Sequence, residues 1–364
     1  MKKVLVGYVI DGKKGGIDKF LMNMLNVVDI SRYKVDFLSN IDTPELREYL
    51  SEFGSELHVI SSLKHPVRQY REIKDILKRE NYEVVYFNIS EAFHTIGLIA
   101  AWMSNIPKRI VHSHSSGCDS KSITKWIRIF LHVCAKHTII RLANIYVSCS
   151  DNASRWMFPK DICEGNKVQL ILNGIDQEKF VFDELTRRDI RKSMNWENKK
   201  ILFHVGNLTY VKNHDFLIRL TKRLVEKNKK FHLVLVGTGD LKVHIEEMIE
   251  KYELNENVEM LGLRSDVYEL LQGCDYFLLP SFFEGFPISA VEAQVSGNLC
   301  LLSDTITKEC IITDHCFFLD IEKIEDWENK ILEEYNYEHK TFKNITNKVV
   351  DIKKQGIIFN ELFS

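Results

Sequence analysis

The chain has 364 residues, of which 45% are hydrophobic, 27% charged and 11% aromatic. Those proportions exclude a disordered, collagen-like or coiled-coil chain, and at roughly 150 residues per domain the length implies two domains. Lys and Arg total 49 against 51 Asp and Glu, a formal net charge of −2, which excludes a globally basic nucleic-acid binder.

Apolar runs rich in Val, Ile and Tyr fall at 3–10, 34–40, 56–62, 82–88, 109–114, 145–150 and 168–173. Helical patterns lie between them, around 17–28, 43–53, 67–80, 93–105, 121–142 and 151–158. The first run follows Met-Lys-Lys, lacks a small-residue cleavage site and runs straight into Asp11, so it reads as a strand and not a signal peptide. Runs with little polar alternation suit strands covered on both faces, and their alternation with helices predicts a parallel, doubly wound sheet. A polar, helix-prone stretch at 181–198 reads as a connector. The pattern then restarts, with strands at 200–206, 231–237, 258–262, 276–280 and 299–303 and helices around 213–227, 240–252, 266–272, 288–296 and 324–335. The fold class is therefore α/β, with two Rossmann-like domains at 1–178 and 179–345. Such domains bind ligands at the carboxyl edges of their strands, which here would face each other across a cleft.

No apolar run reaches the roughly 18–20 residues of a membrane span. The eight cysteines (118, 134, 149, 163, 274, 300, 310 and 316) form no CxxC pair, and most sit in apolar runs, as expected of reduced core thiols in a cytosolic protein. Cys310, His315 and Cys316 have no second cluster at finger spacing, so no metal site is expected there.

Four strand ends carry candidate chemistry. Gly12-Lys13-Lys14-Gly15-Gly16 follows the first strand and opens a helix, where glycines admit a ligand to the backbone and free N–H groups suit an anion. A plain βα turn is the alternative. Arg109-Ile-Val-His-Ser-His-Ser-Ser116 ends a strand with His112 and His114 on one face, suited to bonding a sugar hydroxyl or carrying a proton. Two surface histidines are the alternative. His204-Val-Gly-Asn-Leu-Thr-Tyr-Val-Lys-Asn213 brings Lys212 beside a helix N-terminus, a cationic pocket suited to a diphosphate. The most specific stretch runs from Pro280 to Gly297, with Glu284 in a Glu-Gly-Phe-Pro loop, Pro287 in the first turn and Glu292 inside the helix. Carboxylates accept from vicinal hydroxyls and helix N–H groups donate to phosphate, so the pair suits a nucleotide sugar.

Glu284 and Glu292 match the E-x7-E motif, and by it the chain resembles the GT-B glycosyltransferases, in particular the retaining, metal-independent family 4 enzymes. The resemblance extends through the Gly15-Gly16 loop, the His-Ser-His-Ser strand end, Asn173-Gly174-Ile175-Asp176, the Lys212-Asn213 loop, Leu-Val-Gly-x-Gly at 235–239 and Leu-Gly-x-Arg-x-Asp-Val at 261–267. The chain is similar to the branch that builds bacterial capsule and exopolysaccharide repeat units. The resemblance implies a hexosyltransferase that uses a nucleotide-diphospho-sugar, a UDP-sugar by family habit, and a saccharide or lipid-linked saccharide acceptor. It implies no cofactor and no metal, with Lys212 and backbone donors in place of a divalent ion. By position, Glu284, His114 and Lys212 would be catalytic. Gly16, Asn207, Lys212, Arg264, Glu284, Gly285, Phe286, Pro287 and Glu292 would hold the donor, Glu292 through the ribose hydroxyls. Gly15, His112 and Ser115 would meet the acceptor. A helix within 346–364 would return to the first domain.

One position departs from the family, which usually carries Arg where Asn207 stands. That departure motivates the alternative of a non-catalytic subunit or partner of a glycosyltransferase. Other GT-B chemistries fit less well, since a phosphorylase needs a pyridoxal-binding lysine context that is absent. Residues 120–150 contain Lys121, Lys125, Arg128, Lys136 and Arg141 with no Asp or Glu, interleaved with Trp126, Ile127, Ile129, Phe130 and Leu131. They predict a basic amphipathic surface for an anionic membrane, placing a cytoplasmic protein on its inner face. A core helix with a solvated basic side is the alternative.

Overall fold

The computed structural model describes residues 1–9, 15–118, 124–337 and 351–364. They form two compact units, one of Met1–Gly174 with Val350–Ser364 and one of Ile175–Val349.

The first unit runs β1 (Lys2–Gly7), α1 (Gly15–Val27), β2 (Tyr33–Ser39), α2 (Pro44–Ser51), β3 (Leu57–Val59), α3 (Pro66–Glu80), β4 (Val84–Ile89), α4 (Ile96–Met103), β5 (Lys108–Ser113), α5 (Thr124–Leu142), β6 (Ile145–Ser148), α6 (Asp151–Met157), α7 (Lys160–Glu164) and β7 (Val168–Leu170). All seven strands are parallel, in the order β3-β2-β1-β4-β5-β6-β7. Successive residues of a strand point to opposite faces, and here both faces are buried. Val4 and Val6 join one core with Phe20, Phe37 and Tyr86, while Leu5 joins another with Leu38, Val85 and Phe87. This two-sided cover is why the strands read as continuous apolar runs.

The second unit runs α8 (Gln177–Phe180), α9 (Glu184–Ser193), β8 (Lys200–Val205), α10 (His214–Lys227), β9 (Phe231–Val236), α11 (Lys242–Lys251), β10 (Val258–Gly262), α12 (Val267–Gly273), β11 (Tyr276–Leu279), α13 (Ile288–Val295), β12 (Leu299–Ser303), β13 (Cys316–Leu319) and α14 (Ile324–Glu333). Its six parallel strands follow the order β10-β9-β8-β11-β12-β13. In both sheets the order reverses beside the first strand, between β1 and β4 and between β8 and β11. That reversal opens a crevice at the carboxyl edge.

Two segments differ from the sequence expectation. The stretch expected as a connector contains α9, which is packed into the second unit. Arg187 and Arg191 reach from it to the buried carboxylate of Asp275, at 2.7 and 3.2 Å. The strand β13 was not expected, because a four-residue, partly exposed edge strand leaves little periodic signal. The last helix, α15 (Ile352–Phe363), belongs to the first unit. Its Phe359 and Phe363 are fully buried against Phe20, Tyr86 and Tyr33.

Candidate functional site

In the second unit, β8 ends at Val205 and the chain crosses the carboxyl edge before one turn of 3-10 helix, Tyr210–Lys212. Asn213 then takes a left-handed conformation at φ 55° and starts α10. It stands at the cap position, but its side chain does not cap the helix and instead donates to the Pro280 carbonyl at 3.2 Å. The Phe282 amide donates to the Val211 carbonyl at 2.9 Å, and the Tyr210 and Phe282 rings lie 4.6 Å apart. These contacts bind the β8 loop to the β11 loop and bring Lys212 to Glu284. The Lys212 Nζ donates to Glu284 Oε1 at 2.6 Å. The same oxygen accepts from Ser281 Oγ at 2.6 Å.

Glycines let these loops approach. The Lys212 stem lies where a Cβ on Gly206 would stand, 2.9 Å from its Cε. Gly237 has φ +143°, and a Cβ there would sit 2.0 Å from the Gly206 carbonyl oxygen. His204 is wholly buried below this loop, with Nδ1 bonded to the Leu278 carbonyl at 2.8 Å. Burial holds it well below the usual histidine range, and the neighbouring His214 is pushed down to about 4, chiefly by burial and then by the Lys212 charge.

The other expected donor residues of this unit differ in burial and partners. Pro287 occupies the cap position of α13, just outside its first turn. Gly285 and Pro287 are buried, and Phe286 packs on the core. Glu292 is 2% exposed on α13, whose Ser289 Oγ donates to the Val205 carbonyl at 3.4 Å. Asn207 is exposed in the β8 loop. Arg264 follows β10 and is held by Asp266 through Nε at 2.8 Å and through Nη2.

In the first unit, Asn88 ends β4 beside β5. Its Nδ2 donates to the Gly7 carbonyl at 3.0 Å, so its Oδ1 accepts from His114 Nε2 at 2.8 Å. That assigns the proton of the neutral ring to Nε2 and leaves a lone pair on Nδ1. Burial pushes His114 down to about 3, so at neutral pH the ring is uncharged, with its one proton on Nε2 and Nδ1 left as an acceptor. His112 does share its face, with ring centroids 3.8 Å apart. However, His112 is wholly buried and bonded through Nδ1 to the Tyr86 hydroxyl, which corrects its expected acceptor contact: it backs His114 and does not face solvent. Ser115 turns into its own loop, donating to the Gly117 carbonyl at 2.9 Å. Gly15 and Gly16 are exposed at the start of α1, while Gly12, Lys13, Lys14 and Lys121 lie outside the described residues.

The helix α5 holds residues expected to form a basic amphipathic surface, and two of its cations have protein partners. Arg128 turns inward to the buried Glu91, with Nε to Oε1 at 3.1 Å and Nη2 to Oε2 at 2.5 Å. Lys136 donates to the Arg155 carbonyl at 2.9 Å. The exposed face carries Trp126, Ile127 and Phe130 at 73%, 59% and 67% exposure beside the exposed Arg141, the partly exposed Lys125 and Arg128, whose side chain stays 41% exposed. Ser281, Asn88 and Glu91 gave no sequence signal as site residues, because each acts through a partner that only the fold brings near. Among the described residues no helix is long and apolar enough to cross a membrane.

The family described as "Glycosyl transferases group 1" matches residues 186–349. The chain is 32% identical over 320 residues to the glycosyltransferase EpsF of Bacillus subtilis (strain 168), spanning 85% of this chain and 80% of that one. It is 25% identical over 293 residues to the UDP-Gal:alpha-D-GlcNAc-diphosphoundecaprenol alpha-1,3-galactosyltransferase of Escherichia coli, spanning 76% and 71%. Among solved structures, Anabaena Alr3699/HepE in complex with UDP and glucose superposes with a TM-score of 0.77 at 16% identity, covering 99% of this chain and 98% of that one. That likeness speaks for the fold, the GT-B architecture of two Rossmann-like domains.

Proposed function

Because the chain belongs to the glycosyl transferases group 1 family, we propose that it moves a hexose from a UDP-sugar to a lipid-linked saccharide. Transfer retains anomeric configuration, needs no metal ion and serves capsular or extracellular polysaccharide assembly. The relatives support this reading: the Escherichia coli enzyme is named for UDP-Gal and a diphosphoundecaprenol acceptor, and a Staphylococcus aureus relative, 26% identical, for capsular polysaccharide biosynthesis. The observation that carries it is the 2.6 Å contact between Lys212 Nζ and Glu284 Oε1, beside the N-terminus of α13.

Breaking the anomeric C–O bond leaves positive charge on the sugar and negative charge on the departing diphosphate. Lys212 and the backbone N–H groups at the start of α13 meet that negative charge as it grows, which lowers the barrier. Glu284 accepts from the sugar hydroxyls and Glu292 from the ribose. The departing phosphate takes the acceptor's proton, so no side chain need serve as base. His114, neutral with a lone pair on Nδ1, accepts from a hydroxyl of the transferred sugar. Gly16, Gly285, Phe286 and Pro287 bring backbone to the donor, Asn207 and Arg264 border the nucleotide, and Gly15 and Ser115 border the acceptor. The apolar face of α5 rests on the membrane that holds the acceptor.

Calorimetry with UDP-, GDP- and ADP-sugars in EDTA tests the reading. Binding of a UDP-sugar with EDTA present is expected, and a strict requirement for a divalent ion overturns the metal-free mechanism. The exposed Asn207, where the family usually has Arg, favours a second reading, a non-catalytic partner of a glycosyltransferase. Absence of binding to every donor selects it.

A further inference from the structure

Lys212 and Glu284 present a conflict. If the ammonium serves a diphosphate, it must leave a carboxylate that it touches at 2.6 Å. A glutamate held only by an ion pair would swing free at that moment, just when its oxygens must face the sugar. The carboxylate has a second holder. Ser281 is wholly buried, and its Oγ donates to the same Oε1 at 2.6 Å. A carboxylate can only accept, so the serine proton lies on this bond. A neutral hydroxyl, unlike an ammonium, is not drawn away by an arriving polyanion.

The serine is itself held. Its carbonyl accepts from Thr305 Oγ1 at 3.1 Å, across to the loop after β12. Because the single Thr305 hydroxyl proton is used there, Ser303 must be the donor in the 2.7 Å contact between their hydroxyls. The Thr305 amide in turn donates to Ser303 Oγ at 3.3 Å. On either side of Ser281, the Pro280 carbonyl accepts from Asn213 and the Phe282 amide donates to Val211. Ser303 and Thr305 thus hold the Ser281 backbone through its carbonyl, and the Ser281 hydroxyl separately donates to Glu284, with every proton assigned.

We propose that Ser281 is a positioning residue that keeps the Glu284 carboxylate aimed at the donor sugar while Lys212 exchanges that carboxylate for the diphosphate. This rests on the UDP-sugar reading above. Ser281 then acts on the sugar half of the donor and not on the nucleotide half. A merely structural serine would affect both halves alike.

The test compares the wild type and Ser281→Ala for UDP and for the UDP-sugar the wild type binds, by calorimetry. The expected result is UDP affinity within about twofold of wild type and UDP-sugar affinity lower by about tenfold, the size of one hydrogen bond to a charged group. Thr305→Val, which leaves Ser281 in place but frees its carbonyl, is expected to shift the same ratio in the same direction by a smaller factor. It stands in if Ser281→Ala fails to fold. Equal losses for UDP and UDP-sugar, or no change in their ratio, overturn the positioning role while the donor reading stands. A wild type that binds none of the UDP-sugars overturns both.

Discussion

Lys212 and Glu284 form a contact of opposite charges that are 19% and 13% exposed, so removing either partner leaves the other's charge in a half-dry site. Lys212→Ala is expected to lower kcat/KM by about 10²–10³-fold, the usual cost of one donor aimed at developing charge. Steady-state kinetics check it, and a loss below about threefold would remove Lys212 from the reaction. The histidines make a pH prediction. Burial depresses His112, His114, His204 and His214, with His114 near 3 and His214 near 4. Unfolded histidine titrates near 6.5, so below that pH the unfolded chain binds more protons than the folded one. The neutral rings thus contribute their full stability above about pH 7, and that stability is lost as pH falls towards 4. Tm is expected to be level above about pH 7, to drop towards about pH 5, and to drop less in His114→Gln. The places of Lys212, Glu284, His112 and His114 at or after strand ends were legible in the sequence because each follows an apolar run within a few residues. Ser281 and Arg128 were not, since a serine's role depends on which carboxylate it meets, and Arg128 finds its partner 37 residues away.

At the scale of elements, β-strands covered on both faces were legible because the sheet buries both sides of each strand. The helix α9 shows where that reasoning stops. Its polar composition resembles a linker, yet two of its three arginines, Arg187 and Arg191, are largely covered and bind one carboxylate. Asp275 is 3% exposed and accepts from Arg187, Arg191 and the Ile201 amide, the last at 2.7 Å. The two guanidiniums hold its carboxyl below the usual range although burial alone would raise it. Asp275→Ala would strand two cations and an amide at once, so a loss of about 3–5 kcal/mol in chemical denaturation is expected. A loss under about 1 kcal/mol would mean that α9 is the connector its composition suggests. Gly237 ties two loops in a similar way. A side chain there meets the Gly206 carbonyl in a backbone conformation that few residues adopt, so Gly237→Ala is expected to weaken UDP binding through the displaced loop carrying Lys212.

At the scale of the whole chain, the polypeptide leaves its first unit at Gly174 and returns to it with α15. That return matters to the histidine edge, since Phe359 packs on both Phe20 and Tyr86, the residues that back His112. The same unit also carries the exposed face of α5. Its charges suggested attraction to anionic lipid, but Arg128 is taken up by Glu91 and Lys136 by a carbonyl. Trp126, Ile127 and Phe130 stand outside beside Lys125, Arg141 and a half-exposed Arg128, and with two of the cations already partnered, apolar insertion is expected to outweigh charge in any membrane attachment. Burying a large apolar side chain is worth about 1.5–3 kcal/mol, so losing two should lower partitioning by at least about 100-fold. Co-sedimentation with phospholipid vesicles separates the two contributions. Trp126→Ser with Phe130→Ser is expected to abolish attachment, and Lys125→Glu to reduce it less than about tenfold. Attachment that survives the double substitution but fails with Lys125→Glu would restore the electrostatic account, and attachment indifferent to both would move the membrane contact away from α5.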